Sequence, residues 1–238
     1  MGNLYDTHFH LDLQPDLKMA ITEINDNHIY TIAVTNLPDL YRKGKQEVNS
    51  SYIRLALGFH PELVSRYKHQ IPLMWELLPN ARYIGEVGLD FSSDNNKMEQ
   101  IDFFEQLVGR IINDSSKIIS IHSRRSVSTV LDIISSNFSF KPILHWFTGS
   151  SKELDIAIDR GYYISVNQSM IQTNKGRCLL SQVPKSQLLL ETDSPFIGNG
   201  TQVAVLRATY GFLDPDNTGF LWENFKRLLK PILSTENK

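Results

Sequence analysis

Eight short β-branched or aromatic runs, each ending in a polar residue, recur along the chain and limit its fold more than any other feature. They are LYDTHFH (4–10), IYTIAVTN (29–36), IRLALGFH (53–60), RYIGEVGLD (82–90), IISIHSR (118–124), ILHWFTG (143–149), YYISVN (162–167) and LLLETD (188–193). Most are apolar almost to their C-terminal ends, as strands buried on both faces of a parallel sheet must be. Their polar ends fall at His10, Asn36, His60, Glu86, His122, His145, Asn167 and Asp193, 22 to 36 residues apart. Each interval has room for one strand, one helix and two short loops. The segments between carry helical pattern. Ile101, Phe104, Val108 and Ile111 step by 3, 4 and 3, and Val127, Val130, Leu131 and Ile134 keep to one face. Ser150 with Glu153 forms a capping box at the head of a further helix. Eight βα units predict an α/β fold, a (β/α)8 TIM barrel of the metal-dependent hydrolase type, with its functional groups at the C-terminal strand ends. An open doubly wound sheet shares the alternation but has no need of polar groups at eight strand ends.

The 238 residues suit one such barrel, and no Gly-, Pro- or Ser-rich linker divides them, so a single domain over 1–238 is expected. The 24 basic and 26 acidic residues give a net charge of −2, which excludes a protein that grips phosphates with a broad basic face. Any phosphate chemistry must take its positive charge from metal ions or a few placed arginines. Cys178 is the only cysteine, which rules out an intrachain disulfide and fits a reducing compartment. Its neighbours do not activate a thiol, so it is expected as a small buried apolar residue. No run approaches ~20 apolar residues and the N-terminus lacks a signal-peptide core, so no membrane contact and a cytoplasmic location are expected.

Five of the seven histidines (His8, His10, His60, His122, His145) fall at these strand ends, whereas His28 and His69 lie outside and are expected at the surface. In a strand, Asp6, His8 and His10 share one face. Closing the barrel gathers the five histidines with Glu86 and Asp193 at one mouth. Taken singly, each has a bland alternative: a hydrogen-bonded histidine, an arginine-paired Glu86, an Asp193 that caps a turn. Seven such groups crowded on one rim are costly without a cation. They are too many for one ion and suit two divalent ions sharing a carboxylate, for which Glu86 is the natural bridge. Magnesium or manganese is expected, with zinc as the other candidate. Asp6 lies deeper and is expected to orient a ligand histidine. Arg124 shares the face of His122 and either holds a phosphate oxygen or forms a rim ion pair. Arg125 is expected to point elsewhere. His60 can ligate, donate a proton or touch phosphate, and since ligation would overfill the shells, substrate contact is expected. Phe9, Phe59, Phe91, Trp146 and Phe147 are candidates to stack on bases, with core packing the alternative for most and Trp146 the first to test.

With these residues in hand, the sequence resembles the TatD family of metal-dependent deoxyribonucleases. The matching motifs are DTHFHLD (6–12), GFHP (58–61), GEVGLD (85–90), IHSR (121–124), HWFTG (145–149) and ETDSP (191–195). The resemblance implies that His8, His10, Glu86 and Asp193 hold one ion, that Glu86, His122 and His145 hold the second, and that the substrate is DNA, often a single strand attacked from its end. TNLPDLY (35–41), LLPNARYIGEVGLD (77–90), IHSRRSVSTVLDII (121–134) and ILHWFTGS (143–150) also resemble the TatD-like component of Qat antiphage cassettes, which implies work beside other cassette proteins. The chain departs from the family pattern in SPFIGNGTQVAVL (194–206), which lacks an Asn-x-Pro turn, in a short loop after GLDF (88–91), and in SSKIISIH, which lacks a proline before His122. WENFKRLL (222–229) matches the closing helix.

The expected reaction is hydrolysis of a DNA phosphodiester, with Asp193 accepting the proton of the attacking water and Arg124 and His60 on the non-bridging oxygens. The same strand ends serve an amide or ester hydrolase acting on a small molecule or aminoacyl-tRNA. A non-catalytic subunit of a defence complex is the third reading, and it leaves the full ligand set unexplained.

Overall fold

The computed structural model describes residues 4–92, 96–196 and 200–230. Eight strands run in parallel: β1 (Tyr5–His10), β2 (Tyr30–Val34), β3 (Ile53–Leu55), β4 (Tyr83–Gly88), β5 (Ile118–His122), β6 (Lys141–His145), β7 (Tyr163–Val166) and β8 (Leu188–Leu190). Strands β1 to β3 pair in order, as do β4 to β8. Two joints close the ring. Leu57, just past β3, bridges Ile84 in parallel, and its N–H donates to Tyr83 O at 2.9 Å. Beyond β8, Asp193 N donates to His8 O at 2.9 Å and His10 N to Ser194 O at 3.0 Å. The result is the expected (β/α)8 barrel. The runs at 53–60 and 188–193 are strands only over their first three residues, and their polar ends His60 and Asp193 sit on the loops that follow.

The helices among the described residues are α1 (Leu17–Asp26), α2 (Pro38–Glu47), α3 (Pro61–Val64), α4 (Ile71–Leu77), α5 (Lys97–Ile111), α6 (Val127–Ile134), α7 (Ser151–Asp159), α8 (Gln168–Gln172), α9 (Asn174–Leu180), α10 (Gln202–Leu213) and α11 (Phe220–Leu229). On α5, Phe104, Val108 and Ile111 are buried and Ile101 is half-buried. All four apolar residues expected on one face of α6 are buried. The capping box on α7 forms, with Glu153 N donating to Ser150 Oγ at 3.3 Å and Ser150 N to Glu153 Oε2 at 2.7 Å. Helix α11 closes the end remote from the polar rim, where Phe225 stacks on Tyr5 with centroids 4.2 Å apart. Cys178 is exposed rather than buried, because α9 turns Gly176, Leu179 and Leu180 inward and the cysteine falls on the opposite face. Residues 93–95, in the short loop after GLDF, and 197–199, within SPFIGNG, lie outside the described residues.

Local irregularities aim the site. The β1–β2 register shifts between Asp6 and Phe9, and the β4–β5 register between Ile84 and Val87. Each shift inserts an extra residue and redirects the side chains beside it, here His8 and Glu86. Gly85 and Gly88 flank Glu86 with φ of 152° and 135°, a region that side-chain-bearing residues rarely enter. A Cβ on Gly88 would lie 2.1 Å from His122 O, so glycine there lets β4 and β5 close together at the mouth.

Candidate metal centre

Four buried donor atoms converge from β1, β4 and the loop after β8. His8 Nε2 and His10 Nε2 are 3.3 Å apart. Glu86 Oε2 stands 3.6 Å from the first and 3.3 Å from the second, and Asp193 Oδ1 stands 3.7 and 3.3 Å from the same two. A tetrahedral shell with bonds of ~2.0–2.1 Å has edges of ~3.3 Å, so this spacing suits one cation. The chemistry agrees: two imidazole nitrogens aimed at two carboxylates in a dry pocket need a positive charge between them.

A second group shares Glu86. His122 Nδ1 lies 2.6 Å and His145 Nε2 2.8 Å from Glu86 Oε1, and the two nitrogens are 3.3 Å apart. These are hydrogen-bond distances, and a second cation held by the same atoms would take the place of the shared protons. His60 Nε2 is also near, at 3.6 Å from Glu86 Oε1. However, His60 Nδ1 accepts the Glu62 backbone N–H at 3.3 Å as the cap of α3. A neutral His60 therefore carries its proton on Nε2, as a donor and not a ligand. His60, Glu86 and His122 do bring donor atoms within 4.8 Å of one another, but the tautomer makes His145 the better third member.

The charges follow from this crowding. Burial works against ionisation of Glu86, and His60, His145 and His122 overcome it, holding its carboxyl well below the usual carboxylate range. Burial also opposes a charge on His10, but hydrogen bonding with Asp193 and Glu86 pushes it up to about 9. His145 is raised against its burial by the nearby Glu86 charge. Burial, helped by His145, lowers His8, and burial takes His60 down to about 4.

Buried partners hold these side chains from behind. Ser120 Oγ lies 2.7 Å from His8 Nδ1, and the His8 ring stacks on His145 at 3.9 Å. Asp90 Oδ2 lies 2.8 Å from His122 Nε2. Glu191 Oε1 faces His145 Nδ1 at 3.8 Å and accepts from Trp146 N at 3.0 Å and Asn167 Nδ2 at 2.9 Å. Asp6 does not touch a ligand ring. It accepts from His8 N at 3.1 Å, Thr192 N at 3.0 Å and Gln202 Nε2 at 2.9 Å, tying the backbones under His8 and Asp193 to α10. Burial raises its carboxyl to about 7 against these bonds. Ser120, Asp90 and Glu191 were not singled out by sequence reasoning. Asp90 and Glu191 sit inside quoted motifs, four residues after Glu86 and two before Asp193, and only that nearness could have marked them.

A cavity of about 570 Å³ opens over the donors, lined among others by His60, Arg124, Trp146 and Phe196. Arg125 lines it too, contrary to expectation, because its φ of 56° turns the chain after β5. Of the aromatic candidates, Phe9, Phe59 and Phe147 are buried core and Phe91 is partly buried against it. Trp146 reaches the cavity. So does Phe196, which sequence reasoning passed over; it is 63% exposed and meets the His10 ring edge-on at 5.2 Å. His28 and His69 are exposed and distant from the donors, as expected.

Comparison with known proteins identifies the family. A family profile described as "TatD related DNase" matches residues 5–210. An uncharacterized metal-dependent hydrolase of Buchnera aphidicola is 29% identical over 212 residues, 82% of this chain and 78% of its own. The protein named 3'-5' ssDNA/RNA exonuclease TatD of Citrobacter koseri is 31% identical over 171 residues, 68% of this chain and 66% of its own. The crystal structure of YJJV, a TatD homologue from Escherichia coli, superposes with a TM-score of 0.74 at 20% identity, covering 94% of this chain and 97% of that one. The barrel, the convergent donors and these matches lead to one assignment: the chain belongs to the TatD-related DNase family and is a metal-dependent hydrolase acting on ester bonds.

Proposed function

We propose that the protein hydrolyses phosphodiester bonds of single-stranded DNA from the 3' end, using two divalent ions, magnesium or manganese before zinc. The observation that carries this reading is the convergence of four buried donor atoms at 3.3–3.7 Å beneath a cavity lined by Arg124. His8, His10, Glu86 and Asp193 would hold one ion, and Glu86, His122 and His145 the other. Bound there, the ions supply positive charge for the phosphate and make water acidic enough to attack near neutral pH. Asp193 takes the proton of that water at its carboxylate. Its place on the loop after β8, with N–H bonded to His8 O, keeps it at the floor of the cavity. His60 presents Nε2–H and Arg124 its guanidinium to the phosphate oxygens, compensating charge as it grows. Trp146 stacks on an unpaired base at the rim. The 3'-to-5' direction and the single-stranded substrate rest on the names of relatives such as the Citrobacter koseri exonuclease.

End-labelled single- and double-stranded DNA, incubated with Mg²⁺, Mn²⁺ or EDTA beside His122→Ala, tests this. Shortening of the single strand from its 3' end in metal alone, lost in the variant, is expected. No cleavage in any metal would move the reading to an amide or ester substrate.

The further reading, work within a Qat antiphage cassette, is supported only by the likeness of TNLPDLY, LLPNARYIGEVGLD, IHSRRSVSTVLDII and ILHWFTGS. Plaque counts on cells carrying the whole cassette with Glu86→Gln test it; protection equal to the parent cassette would remove the enzyme from the defence.

A further inference from the structure

Two arginines follow His122 in IHSRR, and both line the cavity over the donor atoms. In extended chain, neighbouring side chains point to opposite faces. Here Arg125 has a φ of 56°, a left-handed conformation that a residue with a long side chain seldom adopts, and after this turn both arginines lie on the wall of one cavity. The turn is pinned to the segment that follows β4 from both sides. Phe91 N donates to Arg124 O at 2.9 Å, Ser126 Oγ donates to Leu89 O at 2.7 Å, and Ser126 N closes back on Ser123 O at 3.2 Å. Both arginines are exposed, and neither forms an ion pair or a side-chain hydrogen bond among the described residues. Of the carboxylates that share the cavity, Glu86, Asp90 and Asp193 already face imidazoles, and the exposed Glu62 forms no ion pair with either arginine among the described residues. Two free, forked cations on a fixed backbone, in a protein of net charge −2, are matched by a ligand with two anionic groups in series.

We propose that Arg124 and Arg125 form a subsite for two consecutive phosphates of one nucleic-acid strand, Arg124 on the scissile phosphate and Arg125 on its neighbour. This rests on the DNA reading above and narrows it: the substrate engages the site through at least two phosphates, so a polymer is preferred to a one-phosphate ester or an amide.

The salt dependence of binding reads the contact directly, because each phosphate neutralised on a single strand adds ~0.7 to the slope of log K against log [NaCl]. Manganese-loaded Asp193→Asn protein would be titrated into a labelled single-stranded oligonucleotide at several NaCl concentrations, followed by fluorescence anisotropy. Adding Arg125→Gln is expected to make the slope shallower by about 0.7 and to weaken binding several-fold at low salt. Arg125→Lys, which keeps the point charge, restores the slope, and Arg207→Gln, on the surface of α10, does not alter it. An Arg125→Gln slope equal to that of the Asp193→Asn parent would overturn the subsite while the DNA reading stands. A parent that binds no oligonucleotide would overturn both.

Discussion

Ser120 holds the His8 ring from behind. Its hydroxyl stands 2.7 Å from Nδ1 while Nε2 faces Glu86 and Asp193, so a cation held at Nε2 would leave the ring proton on Nδ1, to be donated to Ser120 Oγ. Losing such a partner commonly reduces metal affinity ~10–100-fold. Ser120→Ala is therefore expected to weaken manganese binding by about that factor, measured by calorimetric titration with the fold checked by circular dichroism; an unchanged affinity would show that the stack on His145 orients the ring alone. At this scale much was legible. His10, Glu86, His122, His145 and Asp193 stood out because each is a polar residue ending an apolar run, and His8 because it shares the strand face of His10. The supports did not, because Ser120 and Glu191 owe their roles to which neighbour lies across the barrel, and that depends on three-dimensional closure. Arg125 was misplaced for a related reason: strand alternation holds only while the backbone stays extended, and its left-handed φ ends it.

Strands β4 and β5 meet most closely where the site needs them to. At Gly88 a methyl group would meet His122 O at 2.1 Å, and the φ of 135° disfavours any side chain. Gly88→Ala is expected to destabilise the fold by about 1–3 kcal/mol. At roughly 2–4 °C per kcal/mol for a chain of this size, thermal melts should show a loss of several degrees. An unaltered melting temperature would mean the two strands have slack. At the foot of α11, Asp214 accepts from Thr218 N at 2.9 Å and Gly219 N at 2.8 Å. Burial works to raise this carboxyl, and those N–H groups with the Thr218 hydroxyl reverse it to below the ordinary value. A carboxyl lowered on folding adds stability above its unfolded pKa of ~3.9, and that stability fades as the pH drops through the folded value. Asp214→Asn should thus melt earlier than the parent at pH 7, with the gap narrowing toward pH 3; a gap constant with pH would contradict the assignment. Strand and helix order were readable from periodicity, but the ends of β3 and β8 were not. An apolar run marks burial, and the chain at 56–59 and 191–193 stays buried after ladder pairing has stopped.

Over the whole molecule, barrel closure converts His8 and Asp193, 185 positions apart, into neighbours at 3.7 Å. The ring is joined at β8–β1 by the backbone of Asp193 itself, so the fold's last seam and the metal centre are one place. The mouth concentrates cationic groups that a surface of net charge −2 lacks, which explains how an ordinary composition serves a phosphate substrate. The two-ion reading requires Glu86 to serve both cations, and its two oxygens are placed for that, Oε2 toward His8 and His10 and Oε1 toward His122 and His145. The most direct test is the metal content of protein equilibrated with manganese and desalted, measured by mass spectrometry for wild type and Glu86→Gln. Two ions per wild-type chain and no more than one in the variant are expected. A variant that retains as much manganese as the wild type, or a wild type that retains none, would contradict the shared centre.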